Sequence, residues 1–568
     1  RYYKRLLIAA ALGVSVSLTS VAGAAQDNVS GKTVAAIKIS GNSSVSVESI
    51  LGTLKTKTGD KIEQEKIKQD VDSLYAQGNY FDIKVDFTET PEGIEVNYVL
   101  RENPILKEVK IKGNTKVTTQ KINGLLTTKP GEVLNAKTLN ENIRAIEDYY
   151  HEQGYILAKV SDVNMAADGV LTATISEGML EGIVIKGNVK TKTYVVTREL
   201  KLKTGQPFNA KDAKRSMQKI YNLGYFEDVN MKLNPGREPN AVILEVTVVE
   251  QRTGVLSLGG GYSKADGMVG IIELGDNNFR GTGDKAKIHW EFGGKASDRN
   301  LEFSYTKPWL DAKQTSAGIN IYNMTNEYTE YGEHATKVST YDRRRKGGDL
   351  TFGRPANEFT TNFITFKNRT DTYVKHVAGI DRSTDAQYLK DNFGLTRSVT
   401  LMRVMDTRDN VFNATEGTRY SIATEFAGLG GEFSFKKHTL EGRRYYKVGR
   451  DHVIATRMTA GFSSGHLPES GKFAVGGSDT VRGLEDDEYR GTRMFAATAE
   501  YRFPVVKKLQ GVVFIDSGNA WDGGGWFKGL KTSVGFGIRM TTPLGPIRLD
   551  YGKSKESGKF HFSFGGQF

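Results

Sequence analysis

Two regimes of hydrophobic and polar patterning divide this chain near residue 252. In the first, a short alternating run that ends in Gly-Asn occurs three times: Ile37-Lys38-Ile39-Ser40-Gly41-Asn42, Val109-Lys110-Ile111-Lys112-Gly113-Asn114 and Ile183-Val184-Ile185-Lys186-Gly187-Asn188. Each reads as a strand running into a turn. Downstream of each copy, apolar residues recur at steps of four and three: Ile67, Val71, Leu74; Leu139, Ile143, Ile146, Tyr150; Ala213, Met217, Ile220. Such steps put them on one face of a helix, which Gly78, Gly154 or Gly224 then stops. Two alternating strands follow, for example Ile83 to Phe87 and Ile94 to Leu100, parted by Pro91-Glu92-Gly93. Each unit of about 73 residues therefore reads strand, helix, helix, strand, strand, with the helices covering one face of a small mixed sheet. The sheet keeps a free edge, which can take up an extended segment of another polypeptide by β-augmentation.

From Gly254 onward helical periodicity disappears. Segments of alternating polarity follow one another, punctuated by Gly, Asn and Asp: Val255 to Tyr262, Gly267 to Leu274, Lys285 to Phe292, Leu301 to Tyr305, Ala317 to Tyr322, and so on to the end. Residues 252–568, at about 20 per strand plus connection, give roughly 16 strands, an even number as bacterial outer-membrane barrels require. The last segment is the clearest. Phe560, Phe562, Phe564 and Phe568 share one parity, while His561, Ser563, Gly565 and Gln567 share the other, so one face suits lipid and one a polar lumen.

Composition narrows this further. With 25% charged and 38% hydrophobic residues the chain is too polar for a helical membrane protein, and its 568 residues call for several folding units. If it spans a membrane it does so as a closed barrel, because only helices and barrels satisfy their backbone groups in lipid. Cysteine is absent, which excludes disulfides, thiolate metal sites and a lipid-modified cysteine. At the N-terminus, Arg1, Lys4 and Arg5, an apolar run from Leu6, and Ala22-Gly23-Ala24 make a signal peptide over residues 1–25. The formal charge of +12 does not read as nucleic-acid binding. Lys and Arg are dispersed among 66 acids, and the one tight cluster, Arg343 to Lys346, reads as a solvated loop or strand edge. No metal spacing, nucleophile elbow or phosphate loop is present, so neither catalysis nor a cofactor or metal is expected.

The repeated unit resembles POTRA domains, over residues 32–103, 104–180 and 181–251, followed by a barrel over 252–568. Further stretches extend the resemblance to the Omp85 superfamily: Asn278-Phe279-Arg280-Gly281-Thr282-Gly283-Asp284, Asp406-Thr407-Arg408-Asp409-Asn410 running to Gly417-Thr418-Arg419, Gly476 to Gly483, Phe514-Ile515-Asp516-Ser517-Gly518-Asn519, and Thr542-Pro543-Leu544-Gly545-Pro546-Ile547-Arg548. Gly281-Thr282-Gly283 taken singly is a turn. The resemblance implies an α+β set of POTRA repeats before an all-β transmembrane antiparallel β-barrel of about 16 strands, in the outer membrane of a diderm bacterium with the repeats in the periplasm. It implies an assembly factor whose partners are unfolded outer-membrane protein clients, accessory assembly lipoproteins and outer-membrane lipid. Its rivals are a translocation-and-assembly paralogue with three such repeats and a two-partner secretion transporter. About seven residues between cleavage site and first repeat leave little room for the plug helix that the transporter carries.

The chemistry centres on Val481-Arg482-Gly483. In the family this motif tips a loop folded into the barrel, and its arginine is implied to pair with the acid that stands here as Asp516. Leu484 occupies a position where the family often has an aromatic. Physically, a guanidinium that makes a bidentate contact with a carboxylate can hold a loop in one place. Gly476, Gly477 and Gly483 would let the backbone approach the wall. The barrel seam is expected where Val255 to Tyr262, with Gly259, Gly260 and Gly261, pairs with Phe560 to Phe568, because glycine weakens a strand interior.

Overall fold

The computed structural model describes residues 29–166, 168–263, 267–293, 300–332, 336–542 and 545–564. The expected signal peptide, Pro543, Leu544 and Phe568 lie outside them. The chain divides into two compact units, one ending at Val184 and also holding Lys201–Arg215 and Met231–Glu245, the other made of Ile185–Leu200, Ser216–Asn230 and the chain from Val246.

The first repeat is β1 (Val34–Ser40), α1 (Val47–Thr53), α2 (Gln64–Ala76), β2 (Tyr80–Thr90) and β3 (Gly93–Glu102). The second is β4 (Glu108–Lys112), α3 (Thr119–Asn123), α4 (Ala136–Glu152), β5 (Lys159–Met165) and β6 (Val170–Ser176), and the third β7 (Leu180–Lys186), α5 (Thr193–Thr197), α6 (Ala210–Asn222), β8 (Phe226–Pro235) and β9 (Val242–Glu250). Each forms a three-stranded sheet with its last strand in the middle. In the first two repeats the first strand runs parallel to that middle strand and the other antiparallel. The helical stripes are core: Ile67, Leu74, Leu139, Ile146, Tyr150, Ala213 and Ile220 are all buried.

The same helices carry a buried polar residue that apolar periodicity does not flag, at Asp70, Asn142 and Ser216, each the seventh residue of its helix. Asp70 accepts hydrogen bonds from Lys55 N (2.5 Å), Thr56 N (3.2 Å) and the Tyr98 hydroxyl (3.0 Å), and Asn142 accepts one from Thr127 N (3.1 Å). They satisfy backbone donors in the link between the helices, where no strand or helix partner exists.

An acid also closes each Gly-Asn turn. Glu102 accepts from Ser43 N (2.8 Å) and Ser44 N (3.0 Å), Glu177 from Thr115 N (2.8 Å) and Lys116 N (2.9 Å), and Glu250 from Lys190 N (2.8 Å) and Thr191 N (2.6 Å). Burial works upward on the Glu102 carboxyl, but the side-chain and backbone donors of Ser44 and Ser43 outweigh it and hold it at about 2. An unfolded glutamate titrates near about 4.3. The folded value is thus depressed, and the stabilisation is complete above the unfolded value and lost as pH falls through the folded one. Hydrogen exchange at the Ser43, Ser44 and Val45 amides should therefore be faster in Glu102→Gln than in the parent at neutral pH. The two should converge as pH is lowered from about 5 towards 2; a difference that persists there would show that the carboxylate charge is not what holds the turn.

The glycines that stop the second helices have a further job. Asn135 caps α4 by accepting from Lys137 N (2.9 Å) and Thr138 N (3.0 Å), and its amide donates back to Gln77 O of the preceding repeat (2.7 Å). Asn209 does the same for α6, accepting from Lys211 N (2.9 Å) and donating to Gln153 O (3.0 Å). A Cβ at Gly78 would lie 2.5 Å from Asn135 Oδ1, and one at Gly154 2.4 Å from Asn209 Oδ1. The helix stop of one repeat is thus the seat for the helix cap of the next.

In the second unit the strands are β10 (Gly254–Ser263), β11 (Gly267–Phe279), β12 (Asp284–Gly293), β13 (Asn300–Lys307), β14 (Ser316–Tyr331), β15 (Lys337–Pro355), β16 (Thr360–Gly379), β17 (Gly394–Asp406), β18 (Gly417–Ala427), β19 (Ser434–Gly449), β20 (His452–His466), β21 (Phe473–Val475), β22 (Tyr489–Gly491), β23 (Arg493–Val506), β24 (Leu509–Trp521), β25 (Lys531–Thr542), β26 (Gly545–Ser554) and β27 (Gly558–Phe564), with helix α7 (Ala386–Asn392) after β16. Sixteen of them form one antiparallel sheet in chain order, the barrel wall, while β21 and β22 leave it as a small hairpin of their own. Alternation sorts the faces: Phe560 and Phe562 are 73% and 70% exposed, whereas His561 between them is buried.

One expectation is corrected. Arg343 to Lys346 is neither loop nor strand edge. It lies inside β15, where Arg343 sits 4.7 Å over the Tyr328 ring and Arg345 Nε lies 3.2 Å from Asp371. A charge run can occupy a strand interior here because alternate residues of a barrel strand face a polar lumen. The expected seam runs into residues outside the described ones; among those described, β10 and β27 are the two ends of the sheet. Described β27 reaches Phe564 and pairs with β26, and the aromatic end of the expected seam, Phe568, lies beyond it.

Candidate functional site: an arginine clasped by the barrel wall

Between β20 and β23 the chain turns inward. Val481 and Leu484 are fully buried with Phe473, Val475, Met494, Ala496 and Ala520. This apolar packing, rather than aromatic stacking, is what Leu484 contributes. It brings Arg482, only 2% exposed, against the wall. Arg482 Nε and Nη2 grip the two oxygens of Asp516 at 2.8 and 2.9 Å, and its backbone N–H reaches the same carboxylate at 3.1 Å. Nη1 donates to Glu500 (3.0 Å) and Asp550 (3.2 Å), and the guanidinium carbon lies 3.3 Å from the centroid of Phe514.

The sequence brings Arg482 to Asp516; the structure adds the rest of the cage. Glu500 also binds Arg502 Nε (2.8 Å) and Arg539 Nη2 (3.1 Å), Asp550 binds Arg539 Nη1 (2.5 Å), and Arg548 reaches Ser478 O (3.0 Å). Four guanidinium groups therefore enclose three carboxylates, all of them buried, on the inward faces of β23 to β26 and the loop. Such a cluster is satisfied only as a whole: Asp516 serves Arg482 alone, but Glu500 and Asp550 are each shared among three arginines. A signal was present: Glu500 with Arg502, and Arg548 with Asp550, are charged pairs two residues apart, which share a strand face.

The glycines fit by contact. Gly483, at φ +94°, would place a Cβ 2.8 Å from the Gly552 backbone, and a Cβ at Gly552 would lie 2.5 Å from Arg482 C. A Cβ at Gly476 would lie 2.1 Å from Glu485 O. Gly483 also donates its N–H to His561 Nε2 (2.9 Å), and Ser557 donates its hydroxyl to Gly483 O, so the motif is tied to the hairpin of β26 and β27. Gly259, Gly260 and Gly261 lie elsewhere, on β10 opposite Ile271, Gly270 and Val269 of β11.

Of the other stretches, Phe514 to Asn519 lies within β24, and two are turns. Asn278 to Asp284 links β11 to β12, and its expected turn at Gly281 also receives the third repeat. Gly281 O accepts from Lys192 N (2.9 Å), and Asn278 Nδ2 donates to Thr191 Oγ1 (2.8 Å). The turn after Asp406 presents Phe412, whose ring would stand 2.6 Å from a Cβ at Gly224. The third helix-stop glycine is thus seated on the barrel, as the first two are on the following repeat.

Residues 278–568 match the Omp85 superfamily domain, and 32–103, 104–178 and 179–251 match the surface antigen variable number repeat of the POTRA type. The chain is 28% identical over 530 residues to the outer membrane protein assembly factor BamA of Nitratidesulfovibrio vulgaris, an alignment covering 85% of this chain and 64% of that one. It thus spans less than two thirds of that relative's length. It is 24% identical over 541 residues to the chloroplastic outer envelope protein 80 of Arabidopsis thaliana, covering 88% of this chain and 72% of the relative. The fold is shared with CdiB from Escherichia coli at a TM-score of 0.56 and 16% identity, over 82% of this chain and 88% of that one. The family match spans more than half of the residues and takes in the whole arginine cage, and the chain belongs to the Omp85 superfamily.

Proposed function

We propose that the protein assembles other β-barrels into the outer membrane. The barrel resides in the outer membrane of a diderm bacterium with the repeats in the periplasm. The repeats capture unfolded outer-membrane proteins by adding a client strand to a free sheet edge, and the seam between β10 and β27 offers the template on which that strand enters the bilayer. One observation carries this: the order of three repeats and then barrel aligns along 85% of the chain with a protein named as an outer membrane protein assembly factor. Three consecutive glycines on β10 support the seam as the opening, because glycine gives a strand little side-chain packing. The arginine cage has a structural role in this reading, holding the inward loop and the β26–β27 hairpin in place while the seam opens. Accessory lipoproteins would bind the repeats.

Reconstitution tests it. In vesicles containing the protein, a urea-unfolded outer-membrane barrel should acquire heat-modifiable electrophoretic mobility several-fold faster than in protein-free vesicles, and equal rates would refute the reading. Paired cysteines on β10 and β27 are unambiguous in a chain without native cysteine. Once oxidised they should stop insertion until reduced, and unimpaired insertion with the seam locked would remove it as the route.

A further inference from the structure

The three repeats differ at two positions that the fold makes equivalent. The residue after Gly-Asn is Ser43, then Thr115, then Val189, and the second residue of the helix that follows is Glu48, then Gln120, then Tyr194. Ser43 and Thr115 turn their hydroxyls onto the acid that closes their turn. Val189 has no such group and is 93% exposed, and Tyr194 is 51% exposed. An isolated exposed apolar residue needs no explanation, but the location of these two differs from that of their counterparts. Theirs is the turn that bonds the barrel base: Lys190 Nζ lies 2.8 Å from Asp276 Oδ2 and 3.0 Å from Thr253 Oγ1, directly before β10.

The side chains around them are of the kinds that suit a bilayer boundary. Arg198 lies 5.7 Å from the Tyr194 ring centroid and 5.3 Å from that of Trp309, in the turn between β13 and β14, and Trp309 Nε1 is hydrogen-bonded to Glu199 (3.1 Å). Leu310 beside it is 54% exposed, and Leu256, near the start of β10, is 64% exposed. Tyr and Trp with cationic neighbours gather where one end of a side chain is apolar and the other wet. We propose that the Val189–Tyr194 turn of the third repeat is a lipid anchor. Val189 and Tyr194 enter the boundary between headgroups and acyl chains of a phospholipid bilayer beside β10, and exposed Lys192 reaches up to the phosphates. The anchor rests on the barrel's residence in a bilayer, which is part of the reading above, and is independent of the assembly activity.

Cysteine substitutions carrying a nitroxide label test it in the full chain, reconstituted in phosphatidylcholine–phosphatidylglycerol vesicles without client. Val189→Cys and Tyr194→Cys should give labels accessible to oxygen and shielded from an aqueous nickel chelate, whereas Thr115→Cys and Gln120→Cys should show the reverse. Leu440→Cys, on the outer face of β19, reports whether the barrel itself is in lipid. With Leu440 shielded, nickel accessibility at 189 and 194 equal to that at 115 and 120 overturns the anchor. Shielding that appears only when an unfolded client is added overturns it too, assigning the turn to polypeptide. A label at Leu440 open to nickel would instead refute the barrel's place in the membrane.

Discussion

Arg482→Ala is expected to destabilise the barrel by about 3 to 5 kcal/mol, the scale seen when one partner of a buried ion pair is removed, and to abolish assembly activity. The loss is large because Asp516, Glu500 and Asp550 are buried and each directs an oxygen at this side chain. Arg482→Lys should recover little, since a single ammonium cannot make the bidentate grip on Asp516 and reach two further acids. The temperature at which the barrel loses its compact electrophoretic mobility reads the effect, and an unchanged transition in Arg482→Ala would mean that the cage does not hold the loop. A charge swap between Arg482 and Asp516 is not expected to rescue either single change. The acid placed at 482 would face Glu500 and Asp550, so the cage rather than the pair is the functional unit.

The second large effect is expected at Gly154. Valine there meets two obstacles: a φ of +99°, where a β-branched residue is strained, and Asn209 Oδ1 at 2.4 Å from the new Cβ. The cap on α6 is worth about 1 kcal/mol and must shift together with the joint. Gly131 supplies the control, with φ +92° and nothing within 4 Å of its Cβ position. Gly131→Ala incurs only the backbone cost, about 1 kcal/mol, while Gly154→Ala incurs that and the clash. Hydrogen exchange at the Lys211 and Asp212 amides, both bonded to Asn209, should rise in Gly154→Ala and Gly154→Val and stay unchanged in Gly131→Ala. Equal exchange in all of them would show that the helix stop does not seat the next repeat.

Much of this was legible in residue spacing. The stripe Leu139, Ile146, Tyr150 became core because a helix buries one face, and the parity of Phe560 and Phe562 became an outer face because a strand alternates. What was not legible lies at joints and in shared contacts. Gly154 announces a helix stop but not that Asn209, 55 positions later, uses the vacant Cβ space. Asp70 looks like any polar helix residue until the link at Lys55 and Thr56 folds onto it. Arg343 to Lys346 reads as solvated because composition does not say which face of a strand is wet.

By itself, then, the sequence determined the repeat unit, the change from helical to strand periodicity and the approximate number of barrel strands, because these follow from local spacing, while the pairing of Arg482 with Asp516 was implied by the resemblance of motifs kept in order along the chain. Only the tertiary structure decided that Glu500, Arg502, Arg539, Arg548 and Asp550 complete the cage. They stand on strands joined by hairpins, and which charges meet inside a barrel is set by strand register, a property of the ladder and not of any one segment.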